Sequence, residues 1–433
     1  MSAIRITHVL SAALVLGLSA GLAGCGTDAD SGAASAASAA TGPITIWYSN
    51  NPEEVAWGKA MVKAWNAEHP DEEVTGQEIP AGKTSEEVIF ASITAGTAPC
   101  LIYNTAPSAV PMFQRAGGLV PLDNFADGAA YIQERGGTPV EQYKSPDGLY
   151  YQFPWKLNPV MILYNKDIFR EAGIDADNPP LATYDEFLAT SQKIVDSGAA
   201  KAAIYPAPSS EFFQSWFDFY PLFAAAAQKQ LVVDGQATFN SPEGVEVGQF
   251  WKTMYERGLA PQEKYNGDSF KDGVAAMSIV GPWAIKVYGE DVDWGAVPVP
   301  TRDGKPAEEV MTFSDAKNVG LYSACKNNGT AWEYLKYTTS LASDEEWLNT
   351  TGQMPLRKDL VTTYPEYLAE NPDYTQFADQ AGRVIEVPNV ANSTEIWQVF
   401  RNMWTKAVVF GEGDLQQSFD AAAEEVNRLA DAG

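Results

Sequence analysis

Histidine is nearly missing from this chain: His8 and His69 are its two copies among 433 residues. His8 falls in an apolar leader, and His69 lies in Glu68-His69-Pro70, a helix-ending sequence. A Ser-His nucleophile pair or a histidine-rich zinc site is therefore all but excluded. Basic residues are scarce too, with 29 Lys and Arg against 56 Asp and Glu, a formal charge of −27. Such a surface repels nucleic acid and anionic membranes, so neither is expected as a partner. The phosphate-cradling Gly-rich signature of nucleotide-binding loops does not occur, so no ATP site and no cofactor are expected. Long apolar runs are absent beyond Val9–Ala23, which is short for a permanent membrane span. Cysteine is limited to Cys25, Cys100 and Cys325.

What is present points to a large soluble body. The length exceeds one ordinary core and implies about two lobes. Residues 1–24 read as an export signal with a sparse positive start at Arg5. Residues 25–42 are small and polar, without apolar periodicity, and read as a flexible tether. From Pro43 onward strands and helices alternate: Ile44–Tyr48, a helix from about Glu53 to Glu68, Val74–Ile79, a helix over 85–95, then Cys100–Tyr103. That order implies a parallel sheet with helices on its faces, and ligands in such sheets gather beyond the strands' carboxyl ends. The rule singles out Ser49, Asn50, Asn104 and Thr105, residue types that also favour plain turns. Met161–Tyr164 reads as a further strand, followed by a helix closed at Gly173. Thr183 and Glu186 form the spacing of a capping box. The stretch 211–220 is aromatic all round, which one core-facing stripe does not need, so Trp216 and Tyr220 are expected on a cleft wall.

Several segments occur in a recognisable order. YNKDIFREAGI at 164–174 is followed by PPLATYDEFL at 179–188. AGGLVPLD at 116–123, DGLYYQFPW at 147–155, FKDGVAAMSIVGPW at 270–283, WGAVPVP at 294–300 and GQMPLR at 352–357 complete the set. Together they resemble the family-1 extracellular solute-binding proteins, the sugar-type receptors of bacterial ABC importers. Leu22-Ala23-Gly24-Cys25 resembles a lipobox, which makes Cys25 the expected lipid-modified residue.

The resemblance implies an α/β, two-lobed periplasmic-binding-protein-like fold of class II type, with a ligand cleft between lobes joined by a hinge. Lobe one is expected over 43–157 plus 309–345, and lobe two over 158–308 plus 346–433. The hinge is expected near 156–160 and 305–312. It further implies ligand contacts from Trp155 and Asn158 at the first crossover and from Trp283 in the Gly-Pro-Trp turn, with Gly281 admitting close backbone approach. Phe313-Ser314-Asp315-Ala316 replaces the family's usual glycine-rich pair, leaving Ser314 and Asp315 near the cleft. Arg357 either contacts ligand or ties the lobes. Cys100 and Cys325 would lie at the end of lobe one remote from the ligand, as a disulfide or as two small buried core residues.

The expected function is capture of a carbohydrate, an oligosaccharide by preference, for delivery to the permease subunits of an ABC importer. The receptor is expected to be a monomer, lipid-anchored on the outer face of the cell membrane, with no catalytic step and no metal. Asp175, Asp177 and Glu186 occupy three positions of a calcium loop, but Pro179 and Pro180 stand where a ligand and a glycine are needed. A glycerophosphodiester or other polar solute is the alternative ligand. A secreted glycoside hydrolase is the alternative class, needing a carboxylate pair that nothing in the sequence singles out.

Overall fold

The computed structural model describes residues 38–49, 51–82, 84–206, 217–289 and 291–432. Its strands, in chain order, are β1 Ile44–Tyr48, β2 Val74–Glu78, β3 Leu101–Thr105, β4 Phe153–Lys156, β5 Met161–Asn165, β6 Ala202–Ile204, β7 Val232–Val233, β8 Gln236–Ala237, β9 Ala275–Val280, β10 Trp294–Val297, β11 Thr312–Phe313, β12 Lys317–Leu321 and β13 Val384–Ile385.

Two sheets organise the molecule. The first has the order β2-β1-β3-β12-β4, with β1, β2 and β3 parallel and β12 antiparallel to both β3 and β4. Helices Pro52–Glu68 and Ser85–Thr94 make the parallel crossovers. The second sheet has the order β10-β5-β9-β6. Its central β5 is buried on both faces: Ile162 and Tyr164 join one apolar cluster while Met161 and Leu163 join another. That two-sided burial is why the segment reads as a continuous apolar run rather than an alternation. The helix Tyr184–Ser197, which leads into β6, begins with the capping box, Thr183 and Glu186 exchanging hydrogen bonds of 3.0 Å. Asp175 Oδ1 instead accepts from the amides of Asp177 and Asn178, an ordinary turn.

Three strands of chain cross between the sheets. Residues 157–160 run beside 312–315: the Val160 amide donates to Phe313 O at 3.0 Å, and the Asp315 amide to Asn158 O at 3.0 Å. β11 pairs in parallel with β13, which supplies the third crossing. The second crossing therefore lies a few residues beyond the expected 305–312, and the third lies near 384–386 where the expected lobe boundaries put it at 345/346. The lobe boundaries shift with it. Helix Leu341–Thr351 packs on Pro52–Glu68, and the apolar residues from Trp347 to Val384 join the cluster built on the first sheet. Only from Ile385 onward does the chain join the cluster of the second sheet, so the expectation that 346–433 belongs wholly to lobe two is corrected. The physical reason is aromatic: Trp347 packs against Trp57 at 5.0 Å and Trp155 at 4.5 Å between ring centroids. The amphipathic helix Leu415–Asp431 buries Phe419, Ala422, Ala423 and Val426 against the second cluster.

Cys100 and Cys325 are bonded at the start of β3 and beyond the end of β12. The bridge joins two points of the first lobe, away from the strand ends that face the second, and closes a loop of 225 residues that takes in most of the second lobe. The double variant Cys100→Ser/Cys325→Ser is expected to lose about 2–4 kcal/mol of stability. Urea denaturation of the oxidised wild type beside the variant measures this.

Candidate functional site

β1 and β3 end side by side, and the residues that follow them face the second lobe. Asn51 caps helix Pro52–Glu68, its Oδ1 accepting from the amides of Glu53 at 3.0 Å and Glu54 at 3.1 Å. The cap turns the first helical residues toward the cleft. Ser49 Oγ accepts from the Asn51 amide at 3.1 Å. Asn104 has φ of 65°, a left-handed conformation uncommon outside glycine, at the very end of β3.

Between the lobes lies a cavity of about 350 Å³. The first lobe contributes Ser49, Asn51, Glu53, Glu54, Asn104, Lys156, Thr351 and Gln353, and the crossovers contribute Asn158, Asp315 and Lys317. The second lobe contributes Trp283, Lys286 and Val287. A larger hollow of about 470 Å³ lies on the first lobe alone, beside Tyr131, Lys336 and Arg357. The smaller one is the better candidate, because it joins both lobes at the sheet's carboxyl edge.

A buried ionic cluster forms its floor. Lys156 Nζ donates to Glu54 Oε1 at 2.6 Å and to Gln353 Oε1 at 2.8 Å, while Gln353 Nε2 donates to Glu54 Oε1 at 2.7 Å. The ammonium also lies over the Trp155 and Trp347 rings at 5.2 and 5.4 Å. Burial holds the Lys156 ammonium below the ordinary lysine value, with Glu54 pulling the other way. Lys317 and Asp315 form a second pair at 2.6 Å. There burial opposes the charge, but Asp315, with Glu86 and Glu386, outweighs it and holds Lys317 above its usual value.

Three acceptor atoms of the lining are buried without a hydrogen-bond partner: Glu54 Oε2, Asn104 Oδ1 and Asn158 Oδ1. Opposite, the Trp283 ring is partly exposed and stacks on Phe217 at 5.8 Å, while Val287 is 46% exposed. Gly281 serves this ring. A side chain there would collide with Trp283 itself, so the glycine admits the indole, where close approach of a ligand was expected. Lys286 Nζ reaches Asn349 O at 3.0 Å, linking the second lobe to the first across the cleft.

Of the residues singled out from sequence, Ser49, Asn104, Asn158, Trp283 and Asp315 line the cavity. Others lie elsewhere for definite reasons. Thr105 points to the opposite face of β3, its Oγ1 3.3 Å from Ile102 O and Tyr322 Oη. Trp155 alternates with Lys156 on β4, so its ring enters the core among Trp57, Tyr103 and Trp347. Tyr220 is fully buried and donates to Glu386 O. Ser314 Oγ accepts from the Asn158 amide at 3.1 Å and braces the crossover. Arg357 pairs with Asp344 at 2.7 Å inside lobe one, beside Arg135, so it neither lines the cavity nor joins the lobes. Asn50, Trp216 and Cys25 lie outside the described residues.

Glu54, Lys156, Lys286, Lys317 and Gln353 were not singled out. Glu53-Glu54 after Asn51-Pro52 looks like the acidic first turn of any helix. The GQMPLR motif contains Gln353, but the arginine drew the attention. The one available signal was the position of Lys156 at the end of a strand entering a crossover.

Fold and cavity define a two-lobed receptor for a small solute, its site held between sheets that a few strands connect. The chain belongs to the bacterial extracellular solute-binding proteins, whose family model matches residues 60–398. It is therefore a solute-binding protein working outside the cytoplasm. It is 24% identical over 306 residues to the maltotriose-binding protein of Pyrococcus abyssi, covering 69% of this chain and 63% of that protein. A shorter match, 31% identical over 180 residues, links 38% of the chain to 41% of an sn-glycerol-3-phosphate-binding periplasmic protein of Agrobacterium fabrum. The crystal structure of a cyclic alpha-maltosyl-1,6-maltose binding protein from Arthrobacter globiformis shares the fold, with a TM-score of 0.77 at 23% identity, covering 91% of this chain and all of that one.

Glu54→Gln strips Lys156 of its counter-ion while leaving it buried, and is expected to cost about 3–5 kcal/mol. The double variant Glu54→Gln/Lys156→Met removes the stranded charge and should recover most of that loss in urea denaturation.

Proposed function

We propose that this protein captures a neutral carbohydrate, an oligosaccharide by preference, and passes it to the permease of an ABC importer. The observation that carries the reading is the set of unpartnered acceptors, Glu54 Oε2, Asn104 Oδ1 and Asn158 Oδ1, on one cavity. Buried acceptors ask for donors, and sugar hydroxyls supply them in a fixed geometry. Across from them Trp283 and Val287 offer apolar surface for a ring face. The charged groups balance: Lys156, Lys286 and Lys317 stand against Glu53, Glu54 and Asp315. A balanced lining favours a neutral solute, and the maltotriose-binding relative agrees with that preference. The sugar would be held and released unchanged; no bond is made or broken.

A glycerol phosphate or phosphodiester is the second reading. It is favoured by the Agrobacterium relative and by Lys286, whose ammonium donates to the Asn349 carbonyl rather than to a carboxylate. We further propose that Cys25 carries the lipid that holds the receptor, as a monomer, at the outer face of the membrane. Cys25→Ala is expected to release the protein into the medium and to abolish incorporation of a labelled fatty acid; retention of either would defeat the anchor.

The ligand test is a melting screen of residues 43–433 against oligosaccharides, monosaccharides, polyols and glycerophosphodiesters. A ligand at one hundred times its Kd adds about 2.7 kcal/mol. A sugar series that shifts the melt and is recovered intact supports the reading. A shift with phosphodiesters alone replaces the ligand class, and cleaved sugar replaces binding with hydrolysis. Trp283→Ala should weaken the sugar roughly thirtyfold, about 2 kcal/mol, in titration calorimetry.

A further inference from the structure

Glu386 follows β13 at the third crossing, and its side chain is buried with only two hydroxyls among the described residues, those of Tyr143 and Ser314, turned toward its carboxyl. Its backbone is held from both sides. The amide donates to Gln142 Oε1 at 3.1 Å in the first lobe. The carbonyl accepts from Tyr220 Oη and, at 3.2 Å, from Gln230 Nε2 in the second lobe. Facing the carboxyl are the buried Tyr143 hydroxyl and Ser314, whose Oγ braces Asn158. The charged groups nearby are Asp315 and Lys317, the pair that lines the cavity, and Tyr220 is the second phenol close by. One buried acid thus touches both lobes and stands behind the segment that carries cavity residues.

We propose that Glu386 is a positioning residue for solute capture, clamping the crossovers and the Asp315–Lys317 segment while uncharged and loosening them when it ionises. The inference rests on the cleft being the solute site. Among the described residues no cation is in contact with the carboxyl to balance a negative charge, and Asp315 adds repulsion. Burial first, then Asp315, lifts it to about 8 from an ordinary 4.5, against the pull of Tyr143, Ser314 and Lys317. Between those two values the folded protein keeps a proton that the unfolded chain gives up. The stabilising contribution is therefore complete below 4.5, declines as pH rises, and is lost above about 8.

The test compares wild type with Glu386→Gln, which stays neutral and nearly isosteric, from about pH 6 to pH 9.5. Three readouts are followed: affinity for the best sugar of the screen, melting temperature without ligand, and small-angle scattering without ligand. Wild type should lose affinity several-fold through pH 8, melt earlier and expand, while Glu386→Gln stays flat. Parallel curves for the two proteins would overturn the proposal. If no sugar binds either protein, the sugar reading fails, and the ligand-free melting and scattering still decide the hinge. If Glu386→Gln does not fold, infrared titration of wild type decides: a carboxylic-acid carbonyl band persisting to neutral pH supports the proposal, and its loss in the ordinary carboxylate range overturns it.

Discussion

A lysine ammonium cannot remain charged inside a protein without a partner, and Lys156 shows how far that requirement reaches. Its partners are Glu54, 102 residues earlier, and Gln353, 197 residues later. The cluster therefore ties the helix after β1, the end of β4 and the loop after helix Leu341–Thr351 to one point. Each of these segments carries cavity residues. If Glu54 moved, the cost would be that of an uncompensated buried charge, several kcal/mol, far above a surface pair. The aromatic rings beneath the ammonium add a second restraint, since Trp155 and Trp347 are locked in the core. The floor of the cleft is thus set before any ligand arrives.

The second lobe meets this rigid floor through few connections. Three strands of chain cross, and the hydrogen bonds among 157–160, 312–315 and 383–385 hold them as a narrow ribbon. A narrow connection permits rotation of one lobe on the other, the hinge motion by which such clefts enclose a solute. What the second lobe brings is mostly apolar, Trp283 and Val287, with Lys286 at the rim. Polar recognition and apolar cover are therefore divided between the lobes. Direction would come from the fixed acceptors, and exclusion of water from the moving face.

The sequence made the architecture legible where local and global signals agreed. The alternation of β1 to β3 with their helices, the double-sided apolar β5 and the capping box at Thr183 each state one structure in short-range terms. The site was half legible. Strand ends identified Ser49 and Asn104, and motif order identified Trp283, because position alone decides those. Trp155, Tyr220 and Arg357 mislead because side-chain direction is set by strand alternation, packing and a distant acid, none visible locally. Lys156 exposes the limit well: its neighbour Trp155 has the more suggestive side chain, yet β4 turns the lysine toward the cleft. The lobe boundary failed for a related reason. Nothing between 346 and 384 announces that Trp347 belongs with Trp57.

The unliganded floor is not a relaxed surface. A buried acceptor without a donor costs about 1–3 kcal/mol, and Asn104 adds a left-handed backbone. Such positions persist where surrounding structure overdetermines them, and the capped helix, the Lys156 cluster and the braced crossover do so here. The consequence is selectivity more than raw affinity. A solute that places a hydroxyl on each acceptor relieves a cost already present in the free protein. One that lacks a hydroxyl at that point leaves the cost in place, and sites built around polar groups reject deoxy analogues more sharply than apolar pockets reject a missing methylene. In the proposed sugar site the same logic would separate the two lobes: errors against Trp283 and Val287 would be graded by area, and errors against Glu54, Asn104 and Asn158 counted in whole hydrogen bonds.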